Sequence, residues 1–250
     1  MVPATTTRTK HEFDVPGISM GASPTPSALM RIRELEQALR TVHSATVCAL
    51  CQLLDLKDLG TGYHCTRLAE WGVRLASALG LAPAEVRGVE VASLLHDIGK
   101  VGINDRILHK TGVLSSDERA RMQKHPEFGW YILRLFPELE QAALFVLHHH
   151  ERHDGAGYPA GLEGEEIPLG ARIVSVIDAF DAMISNRPYR RGLPFDEVMR
   201  RLEAGSGTQF DPTVVRRFTE LVRAEWTLAP EETRIPLLSG QLELELSPGT

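Results

Sequence analysis

Histidine and acidic residues recur at the ends of apolar helical stretches in this chain. The clearest example is the pair His96-Asp97, which follows the helical run 92–95 and precedes a Gly-Lys turn. Burying an imidazole beside a carboxylate costs free energy unless both groups have partners. A lone buried histidine is usually a satisfied core residue, but five such places point to a shared metal. They are His64, His96-Asp97, His125, the run His148-His149-His150-Glu151, and Asp178.

The types of these residues narrow the chemistry. Imidazole and carboxylate ligands without thiolates suit iron, manganese or zinc at a hydrolytic site. A structural zinc site would more typically use cysteines. A carboxylate such as that of Asp97 can bridge two metals, and two metals about 3.5–4 Å apart can polarise a phosphate and hold a hydroxide for in-line attack. The set therefore predicts hydrolysis of a phosphodiester.

Composition limits the classes of protein that remain. The 250 residues are 43% hydrophobic and carry a net charge of -6, which suits one large globular domain and argues against a general nucleic-acid or membrane surface. No apolar stretch is long enough to span a bilayer, and the N-terminus lacks the apolar core of a signal peptide. We therefore expect a cytoplasmic protein. Cys48 and Cys51 lie in an apolar helical stretch and are interpreted as core residues.

The elements that must position these residues are helices. Apolar residues three or four apart predict an all-α fold, and period-two alternation is confined to 241–246 in the tail. Ser115 and Glu118 form a capping-box pattern that opens a helix running toward His125, and Asp211 is the expected cap of the last helix. The predicted helices are 31–58, 64–79, 83–96, 116–125, 139–149, 169–185, 195–203 and 212–226.

The domain organisation follows from shifts in composition. Residues 1–27 are rich in Thr, Pro, Gly and Ser and are expected to be a disordered leader. Residues 28–45 form a helical extension, either a coiled-coil linker through which a homodimer forms or the exposed start of the domain's first helix. The catalytic domain is expected at 46–226 and a C-terminal tail at 227–250. If the protein is regulated, the signal would come through residues 1–45, through a signalling partner or through the tail after Trp226.

Several long motifs now resemble one family. His96-Asp97 with His64 and Asp178 resembles the HD superfamily of metal-dependent phosphohydrolases, and five segments resemble its HD-GYP subfamily. They are 96–102, 124–129, 149–159, 164–169 and 185–190, and the likeness covers roughly residues 45 to 222. The resemblance implies an all-α helical bundle of the HD-GYP type. It also implies a phosphoric diester hydrolase that opens cyclic di-GMP to pGpG and in some members continues to GMP.

The resemblance also assigns roles to individual residues. It implies a centre of two or three divalent metals, usually iron or manganese, with a bridging hydroxide as the nucleophile. Asp97 would bridge them, Lys100 would lie near the scissile phosphate, and Arg187 and Arg190 would bind the dinucleotide. The first metal would be held by His64, His96, Asp97 and Asp178, and the second by His125, His149, His150 and Asp97.

Three points remain open. Relatives with three metals carry a glutamate where this chain has Gly60, so we expect two metals, and the second hydrolysis step is placed in doubt. Tyr158 could stack on a base or serve the loop alone, and Arg187 and Arg190 could instead form a solvated loop. The alternatives to a cyclic di-GMP phosphodiesterase are a phosphohydrolase of another cyclic dinucleotide or nucleotide, and a non-catalytic module that binds cyclic di-GMP.

Overall fold

The computed structural model describes residues 25–57, 62–186 and 191–228. Within these ranges the chain contains no β-strand, only two isolated bridges, so the all-α prediction is confirmed. The described residues form ten α-helices: α1 (Pro26–Lys57), α2 (Gly62–Ala78), α3 (Pro83–Leu95), α4 (Asp105–Leu108), α5 (Ser116–Met122), α6 (His125–Leu133), α7 (Glu140–His148), α8 (Leu169–Ile184), α9 (Phe195–Ala204) and α10 (Pro212–Leu228).

Two compact units divide the chain, Met1–Ser44 and Ala45–Thr250. In the first unit, the described residues belong mainly to α1, and most of their side chains are exposed. The second unit carries every predicted metal ligand. The predicted limits of the leader, extension, catalytic domain and tail stay predictions. Nearly all of the leader, and the tail beyond residue 228, lie outside the described residues.

The core of the second unit lies among the helices that carry the ligands. Helix α2 packs against α3 and α8, and α7 packs against α3, α6 and α8. Four large side chains of this core are at most 1% exposed, those of Leu68, Leu95, Ile177 and Phe180. Burying each such side chain stabilises the fold by about 1.5–3 kcal/mol. This shared core fixes the helix ends against one another, so the polar residues at those ends are held in place.

The helix ends follow the local signals in the sequence. Gly80 ends α2 at a φ of +79°, a conformation that glycine adopts without steric cost. Ser115 Oγ accepts a hydrogen bond from the Glu118 amide, and the Ser115 amide donates to the Glu118 carboxylate, so the predicted capping box is confirmed. Asp211 Oδ1 accepts from the amides of Thr213 and Val214 at 2.7 and 3.1 Å, which confirms the predicted cap of α10.

Two local predictions were wrong. The helix opened by Ser115 does not continue to His125 but ends at Met122, and a new helix begins at His125. Pro126 has no amide hydrogen to bond the Met122 carbonyl, so the helix cannot continue through it. The interpretation of Cys48 as a core residue was also wrong. Its side chain is exposed because it lies on the side of α1 away from the core, whereas Cys65 is buried. None of the helices in the described ranges is long and apolar enough to cross a membrane.

Candidate metal centre

Two groups of three side chains could each hold a metal ion. His64, His96 and Asp178 form one group, and His125, His149 and His150 form the other. Within each group the ligand atoms lie within 4.8 Å of one another. The residues come from the first turn of α2, the end of α3, the start of α6, the end of α7 and the middle of α8. The structure thus brings all six predicted ligands of these groups together from distant parts of the chain.

Asp97 lies between the two groups. Its Oδ2 is 3.3 Å from His96 Nε2, and its Oδ1 is 3.4 Å from His125 Nε2. The pKa of Asp97 lies well below its usual range, because Lys100 and His96 outweigh the effect of burial, which would raise it. The carboxylate is therefore ionised and presents one oxygen to each group, an arrangement that suits a bridging ligand.

Three imidazoles are oriented by the carbonyl three residues earlier in the chain. His96 Nδ1 lies 3.0 Å from the Ser93 oxygen, His125 Nδ1 lies 2.9 Å from that of Met122, and His149 Nδ1 lies 2.7 Å from that of Val146. These carbonyls lie in the last turns of α3, α5 and α7, where helical partners run out. Each imidazole satisfies a helix end on one side and directs its Nε2 toward the site on the other.

Those three Nε2 atoms are buried and have no hydrogen-bond partner among the described residues. Leaving a buried polar atom unsatisfied costs about 1–3 kcal/mol, so three at one place demand an explanation. A divalent metal coordinated by Nε2 satisfies them, since neutral imidazole binds iron, manganese and zinc. The geometry of the donor set therefore fits a metal centre.

His64 is oriented differently, by an ion pair that sequence reasoning missed. His64 Nδ1 lies 2.5 Å from Asp181 Oδ2, and Nε2 lies 3.4 Å from Asp178 Oδ1. Arg67 holds the Asp181 carboxylate through two bonds, of 2.7 and 3.0 Å. Carboxylates of this kind fix the tautomer of a metal-binding histidine and raise its basicity. The signal was available, because Arg67 follows His64 by three residues and Asp181 follows Asp178 by three.

The two groups differ in their electrostatics. Burial lowers the pKa of His149 and His125, and lowers that of His150 to about 4, so this group is neutral at pH 7. Burial also opposes protonation of His64, but hydrogen bonds to Asp178 and Asp181 outweigh it and raise its pKa to about 9. One group therefore offers three neutral imidazoles, and the other pairs histidines with carboxylates.

A close contact of two backbones joins the turn after Asp97 to α6. A Cβ at Gly99 would collide with the carbonyl oxygen of His125 and would also meet the Gly129 amide at 2.5 Å. Only glycine therefore allows this turn to pack against the start of α6. The contact keeps Asp97 within reach of His125, which explains why a glycine stands two residues after the aspartate.

A family model described as the HD domain matches residues 48–214, two thirds of the chain. The chain belongs to the HD domain family. The resemblance inferred from His64, His96-Asp97 and Asp178 is confirmed, and these residues lie within the matched range.

Several curated proteins are similar to this HD domain. A cyclic di-GMP phosphodiesterase of Thermotoga maritima is 42% identical over 174 residues, which cover 69% of this chain and 47% of the relative. A cyclic di-GMP phosphodiesterase response regulator of Xanthomonas campestris is 41% identical, with coverage of 75% and 49%. A 3'3'-cGAMP-specific phosphodiesterase of Vibrio cholerae is 38% identical, with coverage of 75% and 36%. The chain spans half or less of the length of these three relatives.

Solved structures support the fold. A crystal structure of a cyclic GMP-AMP-specific phosphodiesterase of Vibrio cholerae has a TM-score of 0.55 at 22% identity, covering 77% of this chain and 52% of that one. An HD-GYP-type protein of Bdellovibrio bacteriovorus has a TM-score of 0.51 at 20% identity, covering 66% and 54%. At these identities the likeness concerns the fold of the HD domain alone.

A shaped loop lies beside the predicted metal ligands of this HD domain. The buried carboxylate of Glu151 accepts hydrogen bonds from the amides of Ala160 and Gly161 at 2.8 and 3.1 Å, which closes the loop on itself. A Cβ at Gly157 would collide with the backbone of residues 151 and 152, so this position requires glycine. The sequence placed Glu151 in the run 148–151 that pointed to a metal, whereas its carboxylate instead closes the loop through these two amides.

Tyr158 lies on this loop next to the second ligand group. Its ring centre is 5.0 Å from that of His150, with the planes 33° apart. Burial, together with the negative charges of Asp97 and Asp178, raises the pKa of its hydroxyl above the usual value. The hydroxyl therefore stays protonated, and the ring covers one face of a predicted ligand.

Of the remaining predicted site residues, Lys100 reaches the centre. Its Nζ lies 2.8 Å from Asp97 Oδ2. Arg187 and Arg190 lie outside the described residues, and so does Gly60, on which the expectation of two metals depends.

Proposed function

We propose that this chain is a metal-dependent phosphodiesterase that hydrolyses cyclic di-GMP to pGpG. The observation that carries the proposal is the pair of ligand groups with the Asp97 carboxylate between them. Cyclic dinucleotide phosphodiesterases among the relatives at 38–42% identity give the substrate class.

The centre would hold two divalent ions, iron or manganese. His64, His96 and Asp178 would bind one, His125, His149 and His150 the other, and Asp97 both. When bound, such a pair polarises a phosphate and supplies a hydroxide nucleophile at neutral pH. The neutral state of the three imidazoles in the second group supports this assignment, because a protonated imidazole does not bind a metal.

The chain's own residues would position the substrate and stabilise charge. Lys100 places an ammonium group beside Asp97, where it would offset the negative charge that develops on the phosphate during attack. Arg187 and Arg190 would bind phosphate or guanine edges, since guanidinium presents a planar set of donors. Tyr158, which remains protonated and partly exposed, would stack on a base or donate to the dinucleotide.

Further hydrolysis of pGpG to GMP would be the weaker activity. Gly60 supplies no ligand atom where relatives with three metals carry a glutamate.

The catalytic domain would span residues 46–226, and the compact unit that begins at Ala45 supports the start of that range.

A second candidate substrate is 3'3'-cGAMP. A Vibrio cholerae relative that is 38% identical carries the name of a phosphodiesterase specific for it. Another candidate is a non-catalytic module that binds cyclic di-GMP, but the filled ligand positions favour an enzyme.

Turnover of a substrate panel tests these functions. The protein, purified without oxygen and loaded with Fe(II) or Mn(II), is incubated with cyclic di-GMP, 3'3'-cGAMP and pGpG, and the products are separated by chromatography. We expect cyclic di-GMP to be consumed fastest and pGpG to accumulate. Faster hydrolysis of 3'3'-cGAMP than of cyclic di-GMP would instead identify 3'3'-cGAMP as the preferred substrate. Failure to hydrolyse any of them with both metals bound would refute the enzyme, and binding of cyclic di-GMP under those conditions would favour the signalling module.

The role of Asp97 has its own test. Asp97→Asn should reduce the content of both metals and bring hydrolysis below detection, since one oxygen faces each group. Glu197→Gln, on the exposed face of α9, should leave both measurements unchanged. Full metal content and normal turnover in Asp97→Asn would refute the bridging role.

A further inference from the structure

Helix α1 carries a row of large apolar side chains that face solvent. Ile32, Leu35, Leu39 and Val42 are 47, 56, 56 and 60% exposed. A contiguous exposed apolar surface of this kind marks an interaction site more often than scattered single residues do. The neighbouring positions 33, 34, 36 and 37 are charged or polar, so the row is narrow and borders hydrophilic surface on both sides.

The spacing of this row is strictly heptad. The steps from Ile32 through Leu35 and Leu39 to Val42 are three, four and three residues. The same alternation continues in the sequence through Thr46, Ala49, Leu53 and Leu56, and the last two are 53 and 79% exposed. A period of 3.5 residues keeps a seam facing a partner helix along a left-handed coiled coil.

This row is distinct from the face of α1 that packs into the second unit. In residues 45–57, Val47 and Leu54 are buried and Leu50 and Cys51 pack against the same core. At 100° per residue, the centre of that face lies about 110° around the helix from Leu53 and about 170° from Leu56. The core therefore already has its own side of the helix, and the heptad row needs a different partner.

We propose that the partner is a second copy of this chain, paired in parallel and in register through α1. Arg31 immediately precedes the first seam position, and Glu36 immediately follows the second. In a parallel pair these are the flanking positions that meet, so Arg31 of each copy faces Glu36 of the other. Both now contact solvent, and Arg31 pairs only locally with Glu34 in an exposed bridge.

At the start of the seam, the residue types favour a coiled coil of two helices. Ile32 followed by Leu35 is the order that favours a parallel dimer. Leu39 and Val42 have the reverse order, which favours larger assemblies. The proposal is therefore tested by the number of chains per particle, which the particle mass reports, and not merely by whether the chains associate.

Sedimentation equilibrium of the chain measures that mass. We expect two chains per particle, and a dissociation constant at least tenfold higher in the double variant Leu35→Asp, Leu39→Asp. Thr41→Asp, on the outer face of the same helix, should leave the dissociation constant within about twofold. Because the substituted side chains are exposed, circular dichroism and metal content should not change. A monomeric wild type, or a dimer insensitive to the double variant, would refute the seam.

The charge pair tests parallel register. Glu36→Arg places like charges opposite each other and should weaken the dimer, and adding Arg31→Glu should restore it, because the reversed pair is again attractive. Equal weakening by the single and the double variant would contradict the pairing.

Cross-linking tests orientation independently. Val42→Cys in a Cys48→Ser background should form a disulfide-linked dimer with oxidised glutathione, since equivalent seam positions adjoin only in a parallel pair. Ser44→Cys, off the seam, is the matched control and should cross-link far less. Equal cross-linking of the two variants, or three chains per particle, would overturn the proposal.

Discussion

At the scale of single residues, the predicted metal-binding histidines are oriented by their Nδ1 partners. Backbone carbonyls at helix ends orient His96, His125 and His149, and each leaves its Nε2 unsatisfied. His64 depends instead on the Asp181 carboxylate, which Arg67 holds. The group that contains His64 therefore relies in part on a side-chain ion pair that a substitution can remove, whereas His125 and His149 of the other group rely on the backbone.

Asp181→Asn should release one metal and retain the other. The amide cannot match the charge that orients His64, and loss of such a partner typically lowers metal affinity by about 10- to 100-fold. Elemental analysis after dialysis should fall from about two metals per chain toward one. Asp154→Asn, which alters an exposed carboxylate paired with Arg152, is the control and should retain both. Loss of both metals, or of neither, would contradict this division of roles.

At the scale of elements, two close contacts made by residues outside the predicted ligand set hold helices in place. The turn at Gly99 packs on the backbone at the start of α6. Asp211 caps α10 and also accepts a bond from Arg172 of α8, so one carboxylate joins two helices. The first contact requires glycine, and the second depends on a carboxylate that accepts from both helices.

Gly99→Ala should lower both stability and metal affinity. Its methyl group would collide with the His125 carbonyl, and forcing atoms into a packed contact costs about 1–3 kcal/mol or more when the obstacle is backbone. Moving α6 would also separate His125 from Asp97. Urea unfolding and metal titration measure the two effects. Gly112→Ala adds a methyl where nothing lies within 4 Å and should change neither. Unchanged metal affinity in Gly99→Ala would contradict the explanation that Gly99 keeps Asp97 within reach of His125.

Asp211→Asn should destabilise the fold in a pH-dependent way. Burial would raise the pKa of Asp211, but the bonds from Arg172 and from the amides of Val214 and Thr213 lower it overall. A carboxyl whose folded pKa is depressed adds stability above its unfolded pKa, near 3.9, and this stability is lost as pH falls through the folded value.

The wild type should therefore exceed Asp211→Asn by about 1–3 kcal/mol at pH 7. This difference should hold to about pH 5 and shrink below about pH 4, near the unfolded pKa. Urea unfolding of both metal-free proteins across that range measures it. Asp117→Asn, an exposed aspartate in the first turn of α5, serves as the control for general charge effects. A difference that grows with acidity would show that the pair does not act as described.

At the scale of the whole molecule, the centre ties five helices together through buried groups. Because metal binds only where the folded chain assembles its ligands, binding should stabilise the fold by mass action. The unsatisfied imidazoles add to this effect, since the metal also removes their desolvation cost.

Removing the metals should lower the melting temperature. A metal present at about 1,000 times its dissociation constant contributes about 4 kcal/mol. For a domain of about 200 residues this corresponds to roughly 8–16 °C. Differential scanning calorimetry before and after chelation, and again after readdition of Mn(II), measures the shift. Asp97→Asn should show a much smaller response. An equal melting temperature with and without metal would argue against a loaded centre in the folded protein.

The sequence by itself determined the helical class, the capping box at Ser115, the cap at Asp211 and the list of candidate ligands. These follow from local rules: helical spacing of apolar residues, side-chain capping at residues 115 and 211, and histidines that match a known set of motifs. The break before His125 was visible as Pro126, but its consequence was overlooked. Local chemistry therefore accounts for which residues could act.

Only the tertiary structure decided how those residues are grouped and supported. Ligands separated by more than a hundred residues meet because α2, α3, α7 and α8 share one core, and no spacing rule reports that distance. The Asp181–Arg67 pair and the bonds of Glu151 are contacts across space whose strength depends on burial. The physical reason is that coordination and desolvation depend on where side chains end in three dimensions, whereas the pattern of the chain records only their order.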